Sequence, residues 1–308
     1  MSEKKKKILI ATPIHNDNLL LSYVQSVFTV TNNKDKPYEV TVFFRKGSLV
    51  NRCRNELLAY FLESDCDYIF FIDSDIVNFE EAFYKIVDSY LELEKTIKKL
   101  MLGAVYPIKH YNFDYNNDGQ FKDQGQSYNN QEYGNLEWKE GLLNYNVNIK
   151  NLNIDNNSIL MEANNNNGFV NCQDIAGGFM MFSRKVLLDM IEFYPESKYS
   201  AFLNDKHLPR NHLYNLFHSF VEETSKFYLS EDYGFCYYFR KMGGLIYANI
   251  KIKLSHFGEE KFTGSLYNTL HVQAQAHMQA QAPMQAQAHM QAHAGTGTHA
   301  GTGTGPTQ

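Results

Sequence analysis

The chain has 308 residues, with 29 basic against 34 acidic side chains and a formal net charge of −5 at pH 7. That balance leaves no basic face of the size nucleic acid needs, and no apolar run approaches the ~18 residues of a membrane span. From residue 269 the sequence turns into Gln-Ala-His-Met and then Gly-Thr repeats without Asp, Glu, Lys or Arg, so residues 269–308 read as a disordered low-complexity tail and residues 1–268 as the folded part.

The charged start is followed by only a short apolar stretch, which is not a signal peptide. Cys53, Cys66, Cys172 and Cys236 lack C-x-x-C spacing, as expected of structural thiols in a reduced, cytoplasmic protein. Residues 8–11 are a buried strand ended by Thr12-Pro13, and residues 18–30 carry apolar side chains at helical spacing. Residues 39–44 form a second strand, and residues 48–62 a helix with Ser48 as N-cap. Residues 68–72 form a third strand with no charged side chain, 79–100 a long amphipathic helix, and 101–105 a fourth strand.

This alternation predicts an α/β fold, a mostly parallel Rossmann-like sheet flanked by helices. Residues 111–168, rich in Asn, Asp, Gln and Tyr, read as a long loop with one hairpin. Residues 169–182 resume as a strand with Gly177-Gly178 allowing close backbone approach, and a helix follows from Ser183. Ser230-Glu231-Asp232 starts another helix, which Gly243-Gly244 ends. Residues 245–250 are the last strand, with Ser255-His256-Phe257-Gly258 just beyond it.

Ligands of such sheets sit beyond the carboxyl ends of the strands. Asp73-Ser74-Asp75 follows the third strand directly, and two carboxylates one residue apart repel each other unless a cation compensates. Oxygen ligands favour Mn²⁺ or Mg²⁺, which also bridge phosphates. His256 is a second candidate metal ligand, and Lys261 beside it suits a diphosphate. Glu231 and Asp232 stand at a helix start, where acids cap helices or act as bases. Arg52, Arg54 and Asn55 share a helix, and the two arginines read either as plain surface charges or as contacts to a phosphate or base edge.

Taken in order, Ile8-Leu-Ile-Ala-Thr-Pro-Ile14, Ser48-Leu-Val-Asn-Arg-Cys-Arg-Asn55, Phe71-Ile-Asp-Ser-Asp-Ile76, Ala176-Gly-Gly-Phe-Met-Met-Phe-Ser-Arg184, Ser230-Glu-Asp-Tyr-Gly-Phe-Cys236 and His256-Phe-Gly258 resemble the GT-A fold nucleotide-sugar glycosyltransferases of the family 2-like, Asp-x-Asp type. The resemblance covers residues 8–264 and makes residues 1–268 one such domain, with a small mixed sheet and the 111–168 insertion on the acceptor side. It implies a metal-dependent enzyme moving a sugar from a UDP-sugar, or second a GDP-sugar, to a glycan or protein acceptor. Thr12, Pro13 and Ile14 would hold the nucleotide base with help from Arg54. Asp73 and Asp75 would hold the metal on the donor diphosphate, with Ser74 between them in the donor site. Gly177 and Gly178 would line the donor-sugar pocket, and His256 would contact metal or phosphate. Asp232 matches the base of inverting members, with Glu231 beside it. Asn-rich insertions and surface-sugar transferases also occur in large DNA viruses, which would place the protein in host cytoplasm or virion.

Two other classes compete. Asp73-Ser-Asp-Ile-Val77 also resembles the signature of haloacid dehalogenase-like phosphohydrolases, whose first Asp is a nucleophile; there the motif normally ends the first strand, and here two strands precede it. A sugar-nucleotide binder without turnover would need no base such as Asp232.

Overall fold

Strand β1 (Lys6–Ile14) opens the fold and is followed by α1 (Leu21–Asn32), β2 (Tyr38–Lys46), α2 (Val50–Glu63), β3 (Tyr68–Ile72), β4 (Ile76–Val77), α3 (Glu80–Leu93) and β5 (Leu100–Ala104). The computed structural model describes residues 5–15, 18–111, 114–115, 121–122, 140–150, 156–201, 207–259 and 261–274. The apolar runs of β1 and β3 lie inside the sheet with both faces covered. In β1, Ile8 and Ile10 join one buried cluster with Tyr23, Phe83 and Ile86 of α1 and α3. Leu9 and Ala11 point the other way, to a cluster with Leu57 and Phe61 of α2. β3 alternates in the same manner, Phe70 and Ile72 against Ile69 and Phe71.

Further on come β6 (Pro107–Tyr111), β7 (Asp114–Tyr115), β8 (Phe121–Lys122), β9 (Leu143–Tyr145), β10 (Val147–Ile149), α4 (Asn156–Asn165), β11 (Phe169–Ile175), β12 (Phe179–Ser183) and α5 (Arg184–Phe193). The hairpin β13 (Phe220–Val221) and β14 (Tyr228–Leu229) leads into α6 (Glu231–Lys241), then β15 (Leu245–Asn249), β16 (Leu254–Phe257) and β17 (Lys261–Gly264). The main sheet has eight strands in the order β10-β11-β15-β5-β12-β3-β1-β2. Among the described residues no helix is long and apolar enough to cross a membrane.

Several expectations need correction. The sheet is mixed rather than mostly parallel: β1·β2, β1·β3 and β5·β15 are parallel, whereas β3·β12, β12·β5, β15·β11 and β11·β10 are antiparallel. The cause lies in residues 169–182, read as one strand. They are two, β11 and β12, broken at Ala176–Gly178, and β12 inserts antiparallel between β3 and β5. Leu49, not Ser48, is the N-cap of α2 and makes no side-chain cap bond. The long helix from residue 79 ends at Leu93, and a turn with Thr96 N–H donating to Leu93 O returns the chain to β5. Part of 111–168 lies outside the described residues. Within the rest, β9, β10 and α4 replace the expected loop. α4 has an Asn-rich sequence of low helix propensity, and burial of its Leu160 and Ala163 outweighs that.

The tail boundary also shifts. Residues 266–274 are helical, with Leu266 and Leu270 each 8% exposed and Thr269 buried. Thr269 Oγ1 donates to Glu140 O at 2.7 Å, and Asn268 Nδ2 to Glu140 Oε2 at 2.8 Å. Residues 275–308 lie outside the described residues. Truncation after Asn268 should therefore cost about 2–4 kcal/mol, from one buried leucine and a buried hydrogen bond. Truncation after Ala274 should leave the denaturant midpoint unchanged. Equal midpoints for the two truncations would show that Thr269 and Leu270 do not anchor the helix.

Candidate functional site

The site grows from the end of β3. Asp73 N–H donates to Gly178 O at 3.0 Å, and Ile76 N–H closes a turn on Asp73 O at 3.0 Å, so the Asp-x-Asp segment leaves the sheet beside β12. β4 then pairs with β16 in register Ile76↔His256, and Phe257 N–H donates to Asp75 O at 2.8 Å. This small antiparallel sheet, β17-β16-β4, brings His256 to Asp75.

Arg54, on the inner face of α2, is 2% exposed and lies under Asp73. Its Nη2 donates to Asp73 Oδ1 at 2.9 Å and Oδ2 at 3.0 Å, and its Nη1 to Gly177 O at 3.0 Å. Its Nε has no hydrogen-bond partner and stands 3.7 Å from Glu231 Oε1. Burial works against the guanidinium charge, but Asp73, Glu231 and Asp232 outweigh it and hold Arg54 protonated. Burial raises the affinity of Asp73 for its proton, against the pull of Arg54.

Gly178 has no room for a side chain and Gly177 has little. A Cβ on Gly177 would come within 3.1 Å of Arg54 Cζ and 3.2 Å of Asp232 Cβ. One on Gly178 would come within 2.6 Å of Asp73 Oδ2. Gly178 N–H donates to Tyr106 Oη at 3.1 Å, and Gly177 N–H to Asp232 Oδ2 at 3.1 Å. The other Asp232 oxygen accepts from Ser230 Oγ and from Tyr233 N–H at 2.9 Å. Glu231, one residue away, makes a long ion pair to Arg54. Burial first and Asp232 second push it above the ordinary glutamate value, with Arg54 opposing.

Asp75 has different neighbours. Its Oδ2 accepts from Lys109 Nζ at 2.6 Å and lies 3.4 Å from His256 Nε2. Burial pulls its carboxyl upward, yet His256 and Lys109 hold it down at about 2. His256 Nδ1 lies 2.8 Å from Pro107 O. A carbonyl only accepts, so Nδ1 carries the hydrogen and Nε2 faces Asp75. In the neutral ring a lone pair and a carboxylate oxygen then converge, an arrangement that a divalent cation satisfies, with the second ring nitrogen anchored on a backbone carbonyl. Among the described residues no three His, Cys, Asp or Glu side chains form a complete metal cage. Asp75 and His256 thus fit an ion that takes its remaining ligands from water and phosphate, as Mg²⁺ does. Asp73, with both oxygens on Arg54, is tied to the protein instead.

The depressed pKa of Asp75 has a testable consequence. Its contribution to stability is complete above its unfolded value near 3.8 and is lost as pH falls toward about 2. Asp75→Asn should be less stable than wild type at pH 6, and the gap in denaturant midpoint should narrow steadily as pH falls from about 4 through about 2. A gap independent of pH would remove Asp75 as its source.

The remaining sequence candidates are spread around this centre. Thr12 is buried, with its hydroxyl on Tyr23 Oη, and Pro13 is buried; Ile14, half-buried, leads toward the crevice and its carbonyl accepts from Gly47 N–H at 3.0 Å. Ser74 is half-buried between the two aspartates. Asn55 bridges to Asn215 Oδ1 at 3.0 Å and to both backbone groups of Phe217, a structural tie, and Arg52 is exposed. Lys261 is exposed, across the register from Phe257. The basic side chain on Asp75 is Lys109, which sequence reasoning missed along with Tyr106. Both follow the carboxyl end of β5, and the strand-end rule applied there points to them.

No family model and no curated protein matches the sequence. Among solved structures, the chain is similar to A197 from STIV, at TM-score 0.42 and 18% identity over 85% of this chain and 90% of that one. It is also similar to 4-diphosphocytidyl-2C-methyl-D-erythritol synthase from Anaerococcus prevotii DSM 20548, at TM-score 0.29 and 12% identity over 77% of this chain and 97% of that one. At these TM-scores neither likeness bears on what the crevice does.

Proposed function

We propose that the protein is a glycosyltransferase that moves a sugar from a nucleotide diphosphate donor to a glycan or protein acceptor, with Mn²⁺ or Mg²⁺ at Asp75 and His256. A UDP-sugar is the first choice of donor and a GDP-sugar the second. The observation that carries the reading is the convergence of separate chain segments on one strand-end crevice: the Asp75–His256 pair beside the Arg54–Asp73–Gly177 junction, with Glu231 and Asp232 across it. A divalent ion, when bound there, neutralises charge on the leaving diphosphate. Arg54 holds Asp73 and Gly177 in place, and the missing side chains of Gly177 and Gly178 let Arg54, Asp232, Asp73 and Tyr106 pack against their backbone.

Glu231 takes the proton of the attacking acceptor hydroxyl, with inversion at the anomeric carbon. Asp232 fits this role less well, since three donors already engage its carboxylate. Instead it clamps Gly177 against α6. A phosphohydrolase using Asp73 as nucleophile is disfavoured, because both Asp73 oxygens accept from Arg54.

A panel of nucleotide-sugars scored by nucleotide diphosphate release, with and without EDTA, tests the reading. Donor-dependent release that EDTA abolishes is expected. Full release in excess EDTA would sink the cation role. Hydrolysis of a phosphate monoester without any acceptor would favour the phosphohydrolase.

A further inference from the structure

Lys109 projects from β6 onto the same carboxylate oxygen that His256 faces. Its Nζ is 2.6 Å from Asp75 Oδ2, and His256 Nε2 is 3.4 Å from that atom. A divalent ion held by Asp75 and His256 needs this oxygen, so ammonium and ion compete for it. The lysine's approach is built into the fold. Its stem lies against Gly258, where a Cβ would come within 3.0 Å of Lys109 Cδ and 3.5 Å of its Cγ. A side chain at that position would press on the stem and push it aside. The pair with Asp75 is about one-third exposed on both sides, so breaking it is cheap.

We propose that Lys109 couples cation binding to diphosphate binding in this crevice. Without ligands its ammonium occupies Asp75 Oδ2 and opposes the ion. Once the ion takes that oxygen, the ammonium is displaced at the end of a four-carbon stem still seated on Gly258. It is then a mobile point charge within the crevice, suited to an oxygen of a diphosphate. Each ligand therefore strengthens the other, and by reciprocity the two enhancements are equal. The inference rests on the reading that the crevice takes a divalent ion and a diphosphate.

The test uses the full chain, Mn²⁺ binding followed by loss of the free-ion EPR signal, and UDP binding by calorimetry at saturating Mn²⁺. Lys109→Met should bind Mn²⁺ alone about three- to five-fold tighter, the size of a part-exposed ion pair. The same variant should bind UDP about tenfold weaker in the Mn²⁺-loaded protein, the size of a charge-assisted hydrogen bond. Gly258→Ala, which pushes the lysine stem aside, should shift both affinities in the same two directions by less. Wild-type affinities in Lys109→Met, or both affinities falling together, would overturn the coupling while leaving the cation site intact. If wild type and both variants alike fail to bind Mn²⁺, the coupling and the cation reading fall together.

Discussion

Glu231→Gln should lower kcat by about 10²–10⁴-fold, the usual contribution of a general base. It should also remove the acidic limb of the pH–rate profile. Activity needs the deprotonated carboxylate, so the wild-type rate should fall as pH drops through a value above that of an ordinary glutamate, set first by burial and then by Asp232. Asp232→Asn should also lower kcat, by a different route. The amide keeps one acceptor oxygen but disturbs the contacts to Gly177 N–H, Ser230 Oγ and Tyr233 N–H. Its profile should keep the acidic limb. UDP affinity should change little in either variant, because the proposed ion and diphosphate contacts lie at Asp75, His256 and Lys109. A retained limb in Glu231→Gln together with a lost one in Asp232→Asn would return the base role to Asp232. Retention of anomeric configuration, read by NMR of the product, would remove both.

Arg54→Met should destabilise the fold by about 3–5 kcal/mol at pH 7, the cost of leaving one partner of a buried ion pair uncompensated. The substitution keeps an unbranched side chain in the space between Phe71 and Phe217, whose ring centroids lie 5.6 and 5.9 Å from the guanidinium. What is lost is the charge that offsets Asp73 and the hydrogen bond to Gly177 O. The loss has a pH signature. Asp73 already titrates above its ordinary value because of burial, and without Arg54 it would titrate higher still. A carboxyl that binds its proton more tightly when folded loses stability as pH rises, so the deficit should narrow from pH 7 to pH 5. Adding Asp73→Asn should recover part of it. Denaturant midpoints within about 1 kcal/mol of wild type at pH 7 would show that Arg54 is not the hub of the site.

The local signals in the chain were informative where the physics is local. Residues 8–11 and 68–72 are runs of apolar side chains long enough for a buried strand, and both lie inside central strands of the sheet. Asp73 and Asp75 are legible from position alone, as polar residues at the carboxyl end of such a strand. Gly177-Gly178 signalled close backbone approach, and the contacts of both residues bear that out. Composition misled over residues 156–165, where Asn-rich sequence hid a helix held by two buried side chains.

The amino-acid sequence by itself determined most of the strands and helices up to residue 105 and which strand end carries the carboxylates, because periodicity and apolar runs act over a few residues. The tertiary structure alone decided what those carboxylates meet. Arg54 reaches Asp73 across 19 positions and Gly177 across 123, Lys109 reaches Asp75 across 34, and Asp232 reaches Gly177 N–H across 55. These pairings depend on β12 inserting between β3 and β5, and on β16 pairing with β4. No local pattern encodes such a choice. It is set by which strands close the hydrophobic cores together, and so the different partners of Asp73 and Asp75, and of Glu231 and Asp232, exist only once the sheet is assembled.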